Sequence, residues 1–480
     1  MSDRIPTKDV TTDAGVGHHD PASAASTAMY QRRRHIYVRG IKGSFQRLRS
    51  ASNWVLLGLY FALPWISWGG HPLVLFDLPA RQFHIFGGTF YPQEFMLLSW
   101  LLIICAFGLF FITVFAGRVW CGYTCPQSVW TWLYIWAEKL TEGRRNRRIK
   151  LDQEPMSLDK AWRKGAKHLL WLVIALATGL AFVGYFTPIQ GLVADLARMT
   201  LGGWALFWIG FFTVFTYLNA GWLREQVCIY MCPYARFQSV MFDQDTLIVS
   251  YDSNRGEPRG ARKKRLSHEQ AREAGFGDCI DCDLCVQVCP TGIDIRDGLQ
   301  YECISCAACI DACDSVMDKM GYPRGLIRYT TEHALEGGTT HILRPRLIGY
   351  LAALLVMIGL FAWAVSDRTS LEFDIQRDRN QLYQVMPDGR ISNAYTLTIR
   401  NLDDREHTYR ISMQGLPGIE LIGNEAVSIG AGYSRLVTLR ATVDADVIDQ
   451  PSHELEVTVE ASDDDIRQTH ETRFIGQIRR

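Results

Sequence analysis

Between residues 279 and 313 the chain places eight of its 13 cysteines in 35 positions, and no other stretch constrains the fold so tightly. The run Cys279-x2-Cys282-x2-Cys285-x3-Cys289-Pro290 is followed by the same spacing at Cys303, Cys306, Cys309 and Cys313. Three thiolates at three-residue intervals in a tight loop can wrap three corner irons of one cubane, and the fourth iron then needs a cysteine from elsewhere in the chain. The doubled spacing predicts two [4Fe–4S] clusters.

Zinc and disulfides are the competing uses. Structural zinc sites usually pair CxxC units rather than strings of three, and a disulfide scaffold would have to produce this spacing twice by accident. By the pattern of two-cluster ferredoxins, the last cysteine of each run serves the other cluster. That pattern assigns Cys279, Cys282, Cys285 and Cys313 to one cluster, and Cys303, Cys306, Cys309 and Cys289 to the other.

The 480 residues allow two or three folding units. Basic and acidic residues balance at 50 each, so nothing marks nucleic acid as a partner. The balance hides strong segregation, because apolar segments rich in Trp and Phe alternate with polar blocks. Residues 1–29 are small and polar and read as a disordered tail. A basic patch (Arg32, Arg33, Arg34, Arg39, Lys42, Arg47 and Arg49) precedes the first apolar segment, as expected of a juxtamembrane stretch. Residues 1–52 show no apolar h-region and no cleavage site, so no signal peptide is expected.

Hydropathy predicts five membrane spans: about Trp54–Gly70, short and interrupted by Pro64, then Phe95–Phe115, Leu169–Pro188, Trp204–Trp222 and Leu347–Val365. Lys and Arg are sorted between the loops. Loop 71–94 has only Arg81 and loop 189–203 only Arg198, whereas loop 116–168 carries a cluster from Arg144 to Lys167. Residues 223–346 contain the run Arg262-Lys263-Lys264-Arg265. The bias predicts a cytoplasmic N-terminus, a cytoplasmic cysteine-rich insert and a C-terminus outside. Thiolate ligands are also easier to assemble in a reducing compartment.

Two further cysteine pairs follow the second and fourth predicted spans: Cys121-x3-Cys125-Pro126 and Cys228-x3-Cys232-Pro233. Four-residue spacing puts both sulfurs of a pair on one helix face. An internal repeat that joins the pairs would offer four thiolates to copper(I), zinc or a third iron–sulfur centre. The plainer alternative is four small packed residues, with the prolines ending the helices. Cys105, alone in mid-span, is expected to pack. Beyond residue 366, alternating runs at Tyr395–Arg400, Thr408–Met413, Ser434–Val443 and Leu455–Glu460, separated by turn signals, predict a β-sandwich without catalytic residues.

These motifs carry a family resemblance. Ile36-Tyr37-x-Arg39, Gly117-Arg118-Val119-Trp120-Cys121-Gly122-Tyr123-x-Cys125-Pro126-Gln127 and Cys228-x3-Cys232-Pro233-Tyr234-x-Arg236-Phe237-Gln238 are shared features. So are Tyr251-Asp252-x2-Arg255-Gly256-Glu257-Pro258-Arg259-Gly260 and Met320-Gly321-Tyr322-Pro323-Arg324-Gly325, which flank the paired cluster motif. Over nearly its whole length the chain resembles the cytochrome c oxidase accessory proteins of the FixG/CcoG type.

The resemblance implies a multi-pass protein of the bacterial inner membrane, needed to assemble the cbb-type cytochrome oxidase. The implied activity is reduction of copper(II) to copper(I), with oxidase subunits, a copper transporter and copper chaperones as partners and the electron donor unnamed. The expected fold is a multi-domain membrane protein. It has a five-span α-helical transmembrane domain, an inserted ferredoxin-like domain with two [4Fe–4S] clusters and a C-terminal immunoglobulin-like β-sandwich. Its divisions fall at 1–52, 53–250, 251–346, 347–365 and 366–480. Two other functions are open at this point, a quinol-linked electron carrier and a non-enzymatic assembly scaffold with redox-sensing clusters. A homodimer is open as well. Asp314 after Cys313, where Pro290 follows Cys289, departs from the ferredoxin pattern but removes no ligand.

Overall fold

The structure is a computed structural model, described here for residues 35–68, 71–262, 267–378, 382–403 and 405–476. The expected tail at 1–29, the arginines at 32–34 and the basic residues at 263–265 lie outside those limits. The chain divides into two units, one of residues 1–75 and 101–358, the other of 76–100 and 359–480.

Among the described residues, four helices are long and apolar enough to cross a membrane, and not five. They are Phe95–Ala116, Leu158–Val183, Gly203–Leu223 and Pro345–Ser366. The third is α-helical to Thr216 and continues in wider π turns from Tyr217 to Leu223. The expected first span, Trp54–Gly70, is the one overturned. Its apolar residues form the last part of a helix, Ser44–Ala62, whose first half holds Gln46, Arg47 and Arg49. Pro64, which cannot sustain an α-helix ladder, then sits in a short 3₁₀ turn, Leu63–Trp65. Arg49 and Asn53 are buried on this helix. The Arg49 Nε donates to the Gly122 carbonyl at 3.0 Å, and the Ser52 hydroxyl to the Tyr123 carbonyl at 3.0 Å. The segment therefore lacks the length and uniform apolarity of a span.

The cysteine-rich insert belongs to the first unit. A two-stranded antiparallel ribbon, Ile248–Tyr251 against Ile327–Thr330, brackets it in sequence. Its core mixes Val249, Ile293, Ile295, Ile310, Met317, Leu326 and Ile327 with the cysteines themselves.

Residues 359–480 of the second unit hold two antiparallel sheets among those described. One runs in the order Glu420–Gly423, Ser434–Val443, Ile391–Asn401, Leu371–Arg377, with the short strand Gln384–Val385 also on Ile391–Asn401. The other runs Ala426–Ile429, His407–Gln414, Ser452–Ala461, Arg467–Ile475. Alternate residues (Tyr395, Leu397, Ile399, Tyr409, Ile411, Leu439, Val457, Val459) point into one core, as the period-two pattern requires.

Candidate redox centre

The two cysteine runs are superimposable in backbone logic. At the second residue after the first cysteine and the first after the second, the chain turns left-handed. Asp281 and Asp283 do this in the first run at φ 52° and 53°, Ser305 and Ala307 in the second at φ 50° and 58°. Alternation of left- and right-handed residues makes a concave nest of backbone N–H groups, a setting found at iron–sulfur sites. The Ser305 amide accordingly faces the Cys303 sulfur at 3.4 Å. Each run then enters a helix, Leu284–Val288 in one and Ala308–Met320 in the other.

The helices carry the last cysteine of each run across to the other. Cys279, Cys282, Cys285 and Cys313 line one small cavity with Tyr251, Leu326 and Ile327. Cys289, Cys303, Cys306 and Cys309 line a second with Ile293, Ile295 and Ile304, and Cys285 borders it as well. Burial pushes the thiols of Cys285, Cys303 and Cys313 up to about 12 and that of Cys309 well above its usual range. Neighbouring sulfurs add to the rise: Cys306, Cys303 and Cys289 act on Cys309, and Cys285 and Cys279 on Cys313. Buried, mutually repelling thiols in apolar cavities become compatible with deprotonation only against a cation. Zinc is the poorer fit, since Zn–S bonds of 2.3 Å bring tetrahedral sulfurs to about 3.8 Å. Among the described residues, the triads whose ligand atoms lie within 4.8 Å of one another contain no cysteine. The wider sulfur frame suits two cubanes.

The surroundings of the two cavities differ. On the first run Arg296 forks across Asp281, Asp283 and Asp294, each at 2.6 Å, and Cys282 is exposed. On the second, Cys303 and Cys306 are buried, and protein groups close over the loop. The Tyr329 hydroxyl donates to the Ser305 carbonyl, the Tyr123 hydroxyl to the Cys306 carbonyl at 3.4 Å, and Arg118 Nη1 to the Cys303 carbonyl at 3.5 Å.

Those last contacts come from the other cysteine motif. The structure draws Cys121, Cys125, Cys228 and Cys232 into one neighbourhood, where Cys121, Cys125 and Cys232 all act electrostatically on Cys228, and Cys125 and Cys232 on Cys121. Burial first, then Cys125, pushes Cys121 up to about 12, and burial, then Cys125 and Cys121, does the same to Cys228. Neither pair lies on one continuous helix. Cys125 and Cys232 are extended (ψ 127° and 111°), and each precedes a proline that opens a new helix, Pro126–Thr141 or Pro233–Met241. Proline at a first helical position sacrifices no hydrogen bond. So these prolines start helices here.

Two glutamines stitch the pairs together. Gln127 Nε2 donates to the carbonyls of Asn219 and Arg224, just ahead of Cys228. The Cys121 thiol donates to Gln238 Oε1 at 3.6 Å. Beneath them, Glu138 is buried between Arg148 and Arg224.

The four-thiol cluster abuts the second cavity. Gly122 lies against the Ile304 carbonyl and the Cys306 backbone so closely that a Cβ there would meet them at 2.7 and 3.0 Å. Cys121 packs with Ile304, Cys306 and Ala308. Tyr301 donates its hydroxyl to the Ile229 carbonyl, between Cys228 and Cys232. Arg118, Gly122, Tyr123 and Tyr301 join the two cysteine motifs by contacts that spacing alone did not single out. Arg118, Gly122 and Tyr123 stand inside the first motif, and that is their only signal in the sequence.

Known proteins now bear on this arrangement. A family model of a 4Fe–4S dicluster domain matches residues 223–332, one of a 4Fe–4S binding domain matches 98–139, and one of the Ig-like fold at the C-terminus of FixG matches 361–477. The nitrogen fixation protein FixG of Rhizobium meliloti is 38% identical over 469 residues, 89% of this chain and 88% of that one. The chain belongs to the FixG family. Proteins RdxA and RdxB of Cereibacter sphaeroides are each 39% identical, across 87% of this chain and 91% and 90% of theirs. A crystal structure of a FixG-related protein from Vibrio parahaemolyticus aligns with 22% of the chain and 97% of its own, at 21% identity and TM-score 0.21. As a member of the family, the chain is a multi-pass, iron–sulfur redox protein with two iron–sulfur-binding domains and an Ig-like C-terminal region.

Proposed function

We propose that this protein reduces copper(II) to copper(I) on the cytoplasmic side of the bacterial inner membrane, for delivery to a cbb-type cytochrome oxidase. In this reading Cys279, Cys282, Cys285 and Cys313 hold one [4Fe–4S] cluster and Cys289, Cys303, Cys306 and Cys309 the other. The clusters, when bound, supply one-electron storage and transfer, and copper(II) takes one electron to become copper(I). The chain's own residues give direction. Electrons enter near the exposed Cys282 and leave where the buried Cys303–Cys306 loop meets Cys121. Cys121, Cys125, Cys228 and Cys232 hold the substrate ion, and soft thiolates favour copper(I) over copper(II). The observation that carries this reading is the backbone contact of Gly122 with Ile304 and Cys306.

Residues 251–346 then form the cytoplasmic ferredoxin-like insert, in keeping with the basic loop 116–168, and the span Pro345–Ser366, which separates the insert from the sandwich, carries 366–480 outside. Reporter fusions after Arg262 and Tyr433 test this orientation, and a cytoplasmic signal after Tyr433 rejects it. Oxidase subunits, a copper transporter and copper chaperones are the partners that family membership suggests. The function itself is tested anaerobically, by mixing reduced protein with copper(II) or with a quinone analogue. Oxidation of the protein by copper(II) with one copper(I) formed per electron supports the reading, and oxidation by the quinone alone refutes it.

One observation favours a second reading of the four thiols. The 4Fe–4S binding model spans Cys121 and Cys125. A third cluster there would raise the iron content from about eight to about twelve per chain, a difference that Cys121→Ser would abolish.

A further inference from the structure

Away from the cysteines, three side chains converge at the point where the chain leaves the four-thiol cluster. After the Pro233–Met241 helix, the loop through Asp245 is held to the end of the Phe95–Ala116 helix. The Leu247 amide donates to the Phe115 carbonyl at 3.1 Å, and the Thr246 hydroxyl to the Val114 carbonyl at 3.0 Å. Six residues after Phe115 comes Cys121. Onto this loop folds the segment from Glu332 to His341. Its Gly338 amide returns to the His333 carbonyl at 2.8 Å, and Thr331 and Thr340 join hydroxyls at 2.8 Å.

The fold brings both imidazoles of that segment to one carboxylate. His333 Nδ1 lies 2.9 Å from Asp245 Oδ1, and His341 Nδ1 lies 3.7 Å from Asp245 Oδ2. The two rings stand edge to face at 5.7 Å. One ligand atom from each of the three lies within 4.8 Å of the others. Metal bonds of 2.0–2.2 Å to nitrogen and oxygen place neighbouring ligand atoms about 3 to 3.6 Å apart, so small side-chain shifts close the triad on one ion. His341 is mostly exposed and Asp245 mostly covered, which leaves an open side for solvent or incoming ligand.

A second His–carboxylate group sharpens the contrast. In the β-sandwich, His407 spends Nε2 on Asp403 and Nδ1 on Asp463, at 2.9 and 3.0 Å. Both nitrogens point at carboxylates, which suits a protonated ring and leaves no lone pair for a metal. At Asp245 two imidazoles share one carboxylate, an arrangement short of negative charge for two imidazolium cations but well composed for an N2O donor set of two neutral imidazoles and one carboxylate.

We infer that Asp245, His333 and His341 form a divalent metal site that takes copper(II). Imidazole and carboxylate suit copper(II), the tightest-bound divalent ion of the first-row series, and lack the thiolate that copper(I) prefers. The site would hold the oxidised ion close to the turn that leads to Cys121 and release it once reduced. As a place for the substrate, it rests on the copper-reductase reading. As a divalent metal site, it does not.

The test uses full-length, cluster-loaded protein with its clusters oxidised, in a Cys121→Ser/Cys228→Ser background that limits reduction of added copper by thiols. One equivalent of copper(II) is followed by pulsed electron paramagnetic resonance. Two coupled imidazole nitrogens are expected. His333→Gln and His341→Gln should each leave one and the double variant none, with cluster absorbance unchanged in all three. Imidazole coupling that survives undiminished in the double variant, or is lacking in the parent, overturns the site. Intact coupling in this background, with failure of the reduced protein that keeps all four cysteines to reduce copper(II), would instead leave the site standing and overturn the reductase reading.

Discussion

Replacing Gly122 by Ala tests the contact on which the redox path depends. A Cβ at Gly122 would lie 2.7 Å from the Ile304 carbonyl oxygen, 3.0 Å from Cys306 Cα and 3.1 Å from the Cys306 nitrogen. All three are backbone atoms, so no side chain can rotate away. Ordinary contact begins at 3.4 Å, and the closest approach falls about 0.7 Å short. Overpacking of this kind costs about 1–3 kcal/mol, against a helix-propensity gain of at most about 1 kcal/mol for alanine over glycine. The short helix Val119–Tyr123 should therefore tilt off the Cys303–Cys306 loop. Reduced Gly122→Ala protein mixed anaerobically with copper(II) should be oxidised at least several-fold more slowly than the parent. The paramagnetic spectrum of the cluster on Cys303 and Cys306 should change, while that of its partner stays the same. Gly108→Ala is the control, because a Cβ at Gly108 has open space around it. If Gly122→Ala matches Gly108→Ala in both rate and spectrum, the thiol helix does not conduct from that loop and the argument fails.

Cys313→Ser should empty or distort mainly the cluster of Cys279, Cys282 and Cys285, and Cys289→Ser the other; iron and sulfide analysis should fall from about eight of each toward four. Glu138→Gln leaves the buried guanidiniums of Arg148 and Arg224 without their carboxylate, a loss worth about 3–5 kcal/mol. It should show as a sharp fall in the midpoint of thermal cluster loss. Burial opposes the charge on His407, but its hydrogen bonds to the carboxylates of Asp403 and Asp463 outweigh it and raise the pKa above the ordinary 6.5. Its stabilisation should thus be complete below pH 6.5 and fade as pH rises through the raised value. Calorimetry of the sandwich transition should show that loss in the parent and not in His407→Gln.

The two cysteine runs of the iron–sulfur domain were legible because they are local, with spacing fixed by the reach of three consecutive thiolates. The convergence of the two CxxxCP pairs was legible only through their repetition. Their local form was misread, because Pro126 and Pro233 stop one helix by starting the next. Contacts of Gly122 and Tyr123 with Cys306 join residues more than 180 positions apart, and no pattern in either segment announces them. The first expected span failed for a related reason: hydropathy weighed Trp54 to Gly70 as a block, while Arg49 and Pro64 decide how that helix begins and ends. In the sandwich, four strands with alternating large apolar residues were found, but Leu371–Arg377, which alternates Leu371, Phe373 and Ile375, was passed over. Ala426–Ile429 was too short to stand out, and Arg467–Ile475, with seven polar residues on an outer strand, carried too weak an alternation.

The left-handed residues of the two cysteine runs bear on how the protein is made. Asp281, Asp283, Ser305 and Ala307 have side chains that disfavour this conformation by about 1–2 kcal/mol each, so the empty loops have a standing tendency to relax. The same loops form the seat for neighbouring parts of the unit. Gly122 rests on Ile304 and Cys306, and the start of the Ser44–Ala62 helix donates its Phe45 and Gln46 amides to Asp311, within the helix that bears Cys309 and Cys313. A chain starved of iron would then lack more than its electron carriers. Its helix ends would have nowhere firm to dock, and iron supply would act as a quality-control step that decides which newly made molecules mature and which are degraded.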